Sequence, residues 1–584
     1  MLLLQHHQDG LTRRLFVIGV PHYTIAPFVE TIVKWEKCSG VEWTIKRLKS
    51  LKVDLIRRQS GLEPLTWIRK NRRGDVFGTV GSLFRWADKS DRNFSRAVQA
   101  FMAYTFYILP SLSETQKKKF LEGINPQEGD GLDESFHKDF SKSCARALRK
   151  RSIGLPDRPL VAYLGSSEKK APRFWGRRST IQSENILDDL QLFNTSEGMM
   201  LYQKYKRIYR PLLQGIGQRL QFLDGLNCYS VPNKIPVFGG EIHFLQEPGG
   251  KLRSIASPLR IHQEALRPLG TRLYGAIKSL PWDCTFDQTK AIPHIQSHLG
   301  KGGQIHSIDL SSATDHFPLS LQMTALRAIF LKEDWDHLDL FQEISRGQWK
   351  SPLGFLSWTK GQPLGLYPSF ASFTLTHGLL LYHLNNCRHD NLFFVVGDDV
   401  VILNDELRDK YISMLDRMRC PWSADKSISS VTLSEFAGKI ITSSRVIPQL
   451  KWRSISNDNF LDICRLLGIR SRCLLNKRQK RVFDSVANIC DPIGLNMSLP
   501  GDNLGTMIDR TLDFYRPVEK VLGSLMGLRK KLNNLVHTSS ESFNSDELKV
   551  ISATFDEKVK SALSQTIFSN FELAQNLGLE GLET

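Results

Sequence analysis

Residues Phe393–Leu403 read FFVVGDDVVIL, an apolar run, Gly-Asp-Asp, and a second apolar run. Both flanks are β-branched and aromatic, the composition of buried strands, and Gly397 can take the positive φ that a tight hairpin needs. The chain must therefore fold back on itself here, with Asp398 and Asp399 at the tip of the turn. Two adjacent carboxylates at the end of an apolar sheet repel each other unless a cation lies beside them, and a divalent metal is the natural partner. A surface turn with both side chains in water is the plainer alternative.

Upstream, Gln304–Asp315 reads QIHSIDLSSATD. Ile305, Ile308 and Leu310 suggest a strand ending near Asp309, and Ser311–Thr314 is turn or helix-start material. A third acid thus sits at a strand's carboxyl end. Asp309 and Asp398, from neighbouring strands, could clamp two Mg²⁺ ions ~3.5–4 Å apart, the arrangement of in-line nucleotidyl transfer. One ion would activate a 3′-hydroxyl, and the other would neutralise the triphosphate and departing pyrophosphate. Taken alone, Asp309 reads equally as a helix N-cap or turn acid. Between these acids lies Gly361–Ser369 (GQPLGLYPS), a glycine-punctuated loop, followed by a predicted helix over Phe370–Asn386. Gly361 permits close approach of backbone to a ligand, and Ser369 can hydrogen-bond a ribose or a template base. A simple connection is the alternative.

The order DLSSATD, GQPLGLYPS, GDD resembles motifs A, B and C of viral RNA-dependent RNA polymerases, more narrowly the capsidless narnavirus, mitovirus and ourmiavirus branch together with the RNA phages. Asp309–Asp315 matches D-L-S-x-A-(S/T)-D, and Gly361–Ser369 matches the B pattern except at Pro368, where the group usually has Ser. Gly249–Ala256 (GGKLRSIA) is similar to motif F, whose basic residues line the nucleotide entry path. Lys251 and Arg253 would share one strand face and grip phosphate, a solvated edge strand being the alternative. Leu266–Gln288, particularly Thr285–Gln288 (TFDQ), resembles the stretch before motif A in mitoviruses, whereas Ser257–Gln263 (SPLRIHQ) lacks the Trp of mitoviruses there, which weakens assignment to them relative to their narnavirus and ourmiavirus cousins.

Asn404–Arg419 has helical spacing and resembles motif D. Lys426 follows it, where such polymerases often carry a lysine that protonates pyrophosphate, although a lone loop lysine is otherwise a solvent-exposed one. Glu435, Phe436 and Lys439 fall in a segment resembling motif E, the primer support. The resemblance further implies that Asp315 and Ser369 hold the 2′-hydroxyl of the incoming nucleotide, and that Gly361 and Gln362 belong to the same nucleotide-binding set as Lys251 and Arg253. Catalysis and metal ligation would fall to Asp309, Asp398 and Asp399, the first two as direct ligands and Asp399 assisting or contacting the primer end, with Mg²⁺ replaceable by Mn²⁺.

The chain has 584 residues with a formal charge of +18, which suits a polyanionic partner. Basic clusters recur at Lys46–Arg58, Arg69–Arg73, Arg146–Arg151, Arg173–Arg178 and Lys477–Arg481. A groove lined by several of them would track an RNA backbone, though any single cluster suits a solvated face. The nine cysteines lack metal or disulfide spacing, so a reduced intracellular protein without zinc is expected. No apolar run is long enough to span a bilayer, the start is too short in its apolar portions for a secretory signal, and Arg13 and Arg14 give only a weak hint of a mitochondrial leader, in surroundings of little amphipathicity.

The expected fold is α+β, a right-hand polymerase with an antiparallel palm sheet. Residues 1–150 form a basic extension of open role, 151–300 fingers with motif F, 301–450 the palm with a fingers insertion near 317–358, and 451–584 a mainly helical thumb, with a polar break at Thr538–Asp546. The partners would be RNA template, product strand and nucleoside triphosphates. Its place would be the mitochondrion for a mitovirus and the cytoplasm otherwise. A reverse transcriptase or maturase palm and an inactive RNA-binding relative are the rival readings.

Overall fold

The computed structural model describes residues 2–63, 70–72, 76–126, 129–154, 189–214, 237–449, 451–452 and 460–489, with isolated positions beyond. Most of the expected thumb, the break at Thr538–Asp546 and the cluster Arg173–Arg178 lie outside the described residues. The chain forms two units, one of residues 1–44, 69–106 and 450–584, the other of 45–68 and 107–449.

The first unit is helical where described: Leu2–Ile18, His22–Ser39, Gly78–Ala87, Asp91–Phe101, Phe460–Leu467 and Lys477–Val486. Phe101 takes Phe28 edge-on at 5.9 Å and Phe84 at 5.5 Å, so apolar faces spaced three and four residues apart bury one another. The helix Asp91–Phe101 tightens at its end into a 3₁₀ turn over Met102–Phe106. Ser90 caps its start by accepting from Asn93 N.

The second unit is α+β. Along the chain run β1 (Gly240–Glu247), β2 (Lys251–Pro258), β3 (Ile305–Ile308), β4 (Trp349–Ser351), β5 (Gly354–Leu356), β6 (Phe393–Val396), β7 (Asp399–Ile402), β8 (Ile428–Ser430), β9 (Leu433–Phe436), β10 (Lys439–Thr442) and β11 (Val446–Pro448). They form three sheets, ordered β2-β1-β4-β5, β6-β7-β3-β8 and β11-β10-β9. The middle sheet is antiparallel throughout, with Val396 opposite Asp399 in the β6–β7 hairpin and Ile308 opposite Val400 between β3 and β7.

Both faces of this sheet are covered, which explains why β6 and β7 are apolar at nearly every position. Phe393, Val395, Val400, Ile402 and Ile308 enter a core shared with the helices Tyr367–Leu384 and Asp405–Arg417. The alternate residues Phe394, Val401, Leu403 and Ile305 enter a second core, with Ile295 and Leu299 of the helix Ile292–Gly300 and Phe436 and Ile441 of the β9–β10 hairpin. The two-residue period of a strand thus assigns the apolar side chains of β3, β6 and β7 to one core or the other.

The turns carry the backbone chemistry that they require. Gly397, first of the two residues linking β6 to β7, has φ 61°, and Ala437 and Gly438, linking β9 to β10, have φ 48° and 70°, the double positive pattern of a type I′ hairpin. The helix predicted from Phe370 starts three residues earlier, at Tyr367, because Pro368 falls in its first turn. There the missing N–H has no intrahelical role and the ring's φ suits the helix, so the departure from the B pattern at Pro368 reinforces the helix start.

The loop ahead of that helix is pinned to the segment after β3. Gly361 N donates to Asp315 O at 3.0 Å and Gln362 N to Thr314 O at 2.9 Å, and a Cβ on Gly361 would collide with both carbonyls. Gly361→Ala should therefore cost roughly 1–3 kcal/mol of stability through forced displacement of the loop. Chemical denaturation of the two proteins measures this, and equal midpoints would show that the loop yields freely.

Candidate active site

The strand period determines which acids meet. Asp309 follows β3 with the parity of Ile305 and Ser307, and Asp399 opens β7 with the parity of Val401, so both belong to the face that packs against the β9–β10 hairpin. They line one cleft with Lys52, Lys426 and Glu435. Asp398, in the turn itself, is exposed and lies outside that lining. Its charge is felt by His377 and Tyr411 on the other side of the sheet. The convergence expected of three acids is thus one of Asp309 with Asp399, and Glu435 is the further carboxylate in the cleft.

Asp399 has surface open to solvent, yet its carboxylate is crowded by protein. Desolvation first, then the charges of Asp398, Glu435 and Asp309, push its pKa up to about 7, while Lys251 pulls it down. The two properties are compatible because a group on a cleft floor can be reached by a small body and still be poorly hydrated. Among the described residues no three His, Cys, Asp or Glu side chains close on a single point as a metal cage. The donor set nevertheless has the right chemistry: hard carboxylate oxygens on adjacent strands, with mutual repulsion that a divalent cation relieves. Asp309 and Asp399, with Asp398 at the turn, are the residues that would hold it.

Lys426 reaches this site by stitching of its loop. Ser311 N donates to Pro421 O and Ser423 N to Asp309 O, both at 2.8 Å, and Asp309 N donates to Ser427 Oγ at 3.1 Å. Those bonds leave the Lys426 ammonium 2.8 Å from Asp309 Oδ2. Arg57 braces the same loop, donating to the carbonyls of Ala424 and Asp425 at 3.5 and 3.2 Å. Lys251 leads β2 beside the turn at Gly249 and Gly250 and is exposed. Arg253 is engaged by Glu247 at 3.0 Å across the same hairpin, and β2 is a sheet edge.

The nucleotide-contact candidates divide. Ser369 is buried, its hydroxyl donating to Pro363 O at 3.0 Å. Gln362 is buried as well, donating to Ser369 O at 2.9 Å and Gln322 Oε1 at 3.0 Å. Both brace the loop from within, and with Gly361 they are not brought to the cleft surface. Asp315 as a residue retains some exposure, but its carboxyl group sits among protein atoms and accepts from Trp358 Nε1 at 2.9 Å. Burial pushes its pKa up to about 6, against the pull of that hydrogen bond and of Lys119. In the β9–β10 hairpin, Glu435 accepts from Lys52 at 3.3 Å and Gln449 at 2.7 Å. Phe436 is buried in the cleft wall, and Lys439 lies outside that lining.

Residues with no motif signature also hold the site. His377, wholly buried on the helix Tyr367–Leu384, sits 2.9 Å from Gly397 O through Nδ1 and 2.6 Å from the Tyr411 hydroxyl through Nε2. A carbonyl accepts only, so Nδ1 carries the proton and Tyr411 donates to Nε2. Desolvation pushes the His377 pKa down to about 4, which keeps the ring neutral. A lone His in an apolar helix reads from sequence as a core residue, and only its spacing to the Gly-Asp-Asp turn in three dimensions reveals the tie.

Two outcomes follow. His377→Phe strands the Gly397 carbonyl and the Tyr411 hydroxyl, and should cost about 1–3 kcal/mol for each; a denaturation midpoint equal to that of the parent would contradict the tie. For Asp315, a folded pKa above the unfolded one means stability fully present below about pH 4 and lost as pH rises through about 6. At about 1.4 kcal/mol per pH unit that is on the order of 3 kcal/mol. Asp315→Asn should therefore gain stability over the parent between about pH 4.5 and pH 7.5 in thermal melts, and a difference independent of pH would refute the buried charge.

A family model described as mitovirus RNA-dependent RNA polymerase matches residues 169–571. The RNA-directed RNA polymerase of Cryphonectria parasitica mitovirus 1 is 30% identical over 211 residues, which are 35% of this chain and 26% of that protein. The chain thus spans about a quarter of the length of that relative. An uncharacterized mitochondrial protein of Arabidopsis thaliana, AtMg01410, is 29% identical over 167 residues, 26% of this chain and 78% of that protein. The RNA-dependent RNA polymerase of BmCPV in its elongation state aligns with 78% of this chain and 45% of its own, at 11% identity and a TM-score of 0.44. The Trp missing from Ser257–Gln263 does not set the chain apart from the mitoviruses. The chain belongs to the mitovirus RNA-dependent RNA polymerase family.

Proposed function

We propose that the chain copies an RNA template from ribonucleoside triphosphates, with magnesium ions as its metal, as the replication enzyme of a virus housed in mitochondria. The observation that carries this reading is the shared strand face of Asp309 and Asp399, in one cleft with Lys426 held on Asp309. The family membership and the mitochondrial relative support it. In this reading residues 301–450 are the palm, 151–300 the fingers and 451–584 the thumb. The β9–β10 hairpin with Glu435, Phe436 and Lys439 supports the product strand.

A divalent cation held by these carboxylates would, when bound, lower the pKa of a 3′-hydroxyl and screen the triphosphate. Asp309, Asp398 and Asp399 would hold and orient it, and the repulsion among their charges is what a cation would relieve. Lys426 donates a proton from Nζ to the leaving pyrophosphate, a contribution worth ~10²–10⁴-fold. Lys251, at the turn of β1 and β2, attracts the triphosphate. Asp315, behind the loop at Gly361, discriminates the ribose through the backbone that it supports.

Primer extension on one RNA template, offered ribonucleotides and deoxyribonucleotides in parallel, tests the reading. Strong preference for ribonucleotides is expected, and preference for deoxyribonucleotides would favour a reverse transcriptase palm. Asp309→Asn and Asp398→Asn should each lower turnover by about 10³-fold or more with RNA affinity nearly intact. Variants as active as the parent would sink the proposal, since an inactive RNA-binding relative would show no difference between them.

A further inference from the structure

Lys360, the residue before the loop at Gly361, is buried. Its backbone carbonyl is held from two sides, accepting from Leu319 N at 2.9 Å and from Arg346 Nη2 at 3.0 Å, while Arg346 Nη1 donates to Trp358 O at 2.7 Å. From that fixed base the side chain crosses to the end of the helix Asp405–Arg417. There its ammonium donates to Met418 O at 2.6 Å and to Arg419 O at 3.0 Å. A cation at a helix C-terminus meets the negative end of the helix dipole and carbonyls that no further turn engages.

That terminus is closed by a turn that needs holding. Arg419 N donates to Asp416 O at 3.0 Å and Cys420 N to Leu415 O at 2.8 Å, the paired bonds of a Schellman closure. Glycine usually takes the left-handed position of such a closure, and here Arg419 takes it, with φ 51°. Lys360 Nζ bonds the carbonyl of that residue and of the one before it, which stabilises the strained conformation. The turn decides where the chain goes next. Cys420 is buried, Ser311 N donates to Pro421 O, Trp422 forms a β-bridge with Leu310, and Ser423 N donates to Asp309 O. Lys426 then meets Asp309 Oδ2 at 2.8 Å.

We propose that Lys360 is a positioning residue for Lys426: it fixes the origin of the loop Cys420–Ser427 and, through that loop, holds the Lys426 ammonium at the acid cleft while touching no substrate itself. The loop at Gly361 and the lysine loop are thereby tied to each other, since Gly361 N is fastened to Asp315 O and its neighbour's Nζ to Arg419 O. The proton transfer given to Lys426 rests on the polymerase reading above, whereas the clamp rests on these hydrogen bonds.

The test uses the full chain with Lys360→Gln, Lys360→Arg, Lys426→Met and the double variant Lys360→Gln/Lys426→Met. Two things are read: kcat and KM for ribonucleotides on one RNA template, and hydrogen exchange in the peptides that carry Ser311, Ser423 and Ser427. Lys360→Gln should lower kcat about tenfold or more with KM changed about twofold at most. It should also speed exchange in those peptides about tenfold and leave β7 as in the parent. Lys360→Arg, which keeps a cation with several donors, should restore both quantities. In the Lys426→Met background, Lys360→Gln should lower kcat about twofold at most, because the group that it positions is gone. An equal fractional loss in both backgrounds would overturn the inference and leave Lys360 a brace independent of Lys426. Parent-like kcat and exchange in Lys360→Gln, beside a Lys426→Met variant that has lost turnover, would sink the inference and leave the polymerase reading standing. Lys360→Met, an unbranched chain of similar length, carries the same comparison if the Gln variant does not fold. Should the parent itself fail to polymerise, the polymerase reading falls, and faster exchange in the Lys360 variants would still support the clamp.

Discussion

A strand buried on both faces has no solvent side, so a polar residue must sit at its end or find partners inside, and the two-residue period decides the face that each residue meets. That constraint organises the second unit. Phe393–Val396 and Asp399–Ile402 feed two cores in strict alternation, and the pairing of Ile308 with Val400 brings Asp309 level with Asp399. A shift of one residue in that pairing would send one of the two acids into the helix-side core. The register is therefore held by all of the apolar burial of the sheet, and the geometry of the acids is inherited from it.

Around this sheet the polar groups divide into those that face the cleft and those that hold the wall behind it. His306, with the parity of the helix-side core, is bound by Ser429 and Asp405, each at 2.8 Å. Ser307, one position on, faces the other way, contacting Ser434 at 2.9 Å and accepting from Glu435 N at 3.0 Å. These neighbours anchor β3 to the motif-D-like helix on one side and to the β9–β10 hairpin on the other. His377 does the same for the Gly-Asp-Asp turn. Each is a buried polar group with matched partners, which makes the arrangement costly to distort.

The glycine-punctuated loop shows the same division. Gln362 and Ser369, which resemblance casts as nucleotide contacts, spend their hydrogen bonds inward on Gln322, Pro363 O and the loop's own backbone. Their effect on a bound ribose would pass through the shape that they give to the backbone. Electrostatics in the cleft is likewise collective. Asp399 is displaced by several neighbours, so it does not act as an isolated charge.

The α+β class, the β6–β7 hairpin, the strand ending at Asp309, the helix after Gly361–Ser369 and the loop lysine were all legible in the sequence, because each is local: a period of two, a period near 3.6, or a glycine where φ must be positive. The family was legible too, through three short motifs in order. Tertiary structure alone decided that Asp399 shares the cleft with Asp309 while Asp398 stays at the turn, that Ser369 and Gln362 are buried, and that the helix Val41–Gln59 brings Lys52 to Glu435, nearly four hundred positions away. The reason is physical. Alternation along a strand can be read from its residues, but the face a neighbouring strand presents, and which distant helix covers it, depend on pairing register and packing between segments that carry no mark of each other.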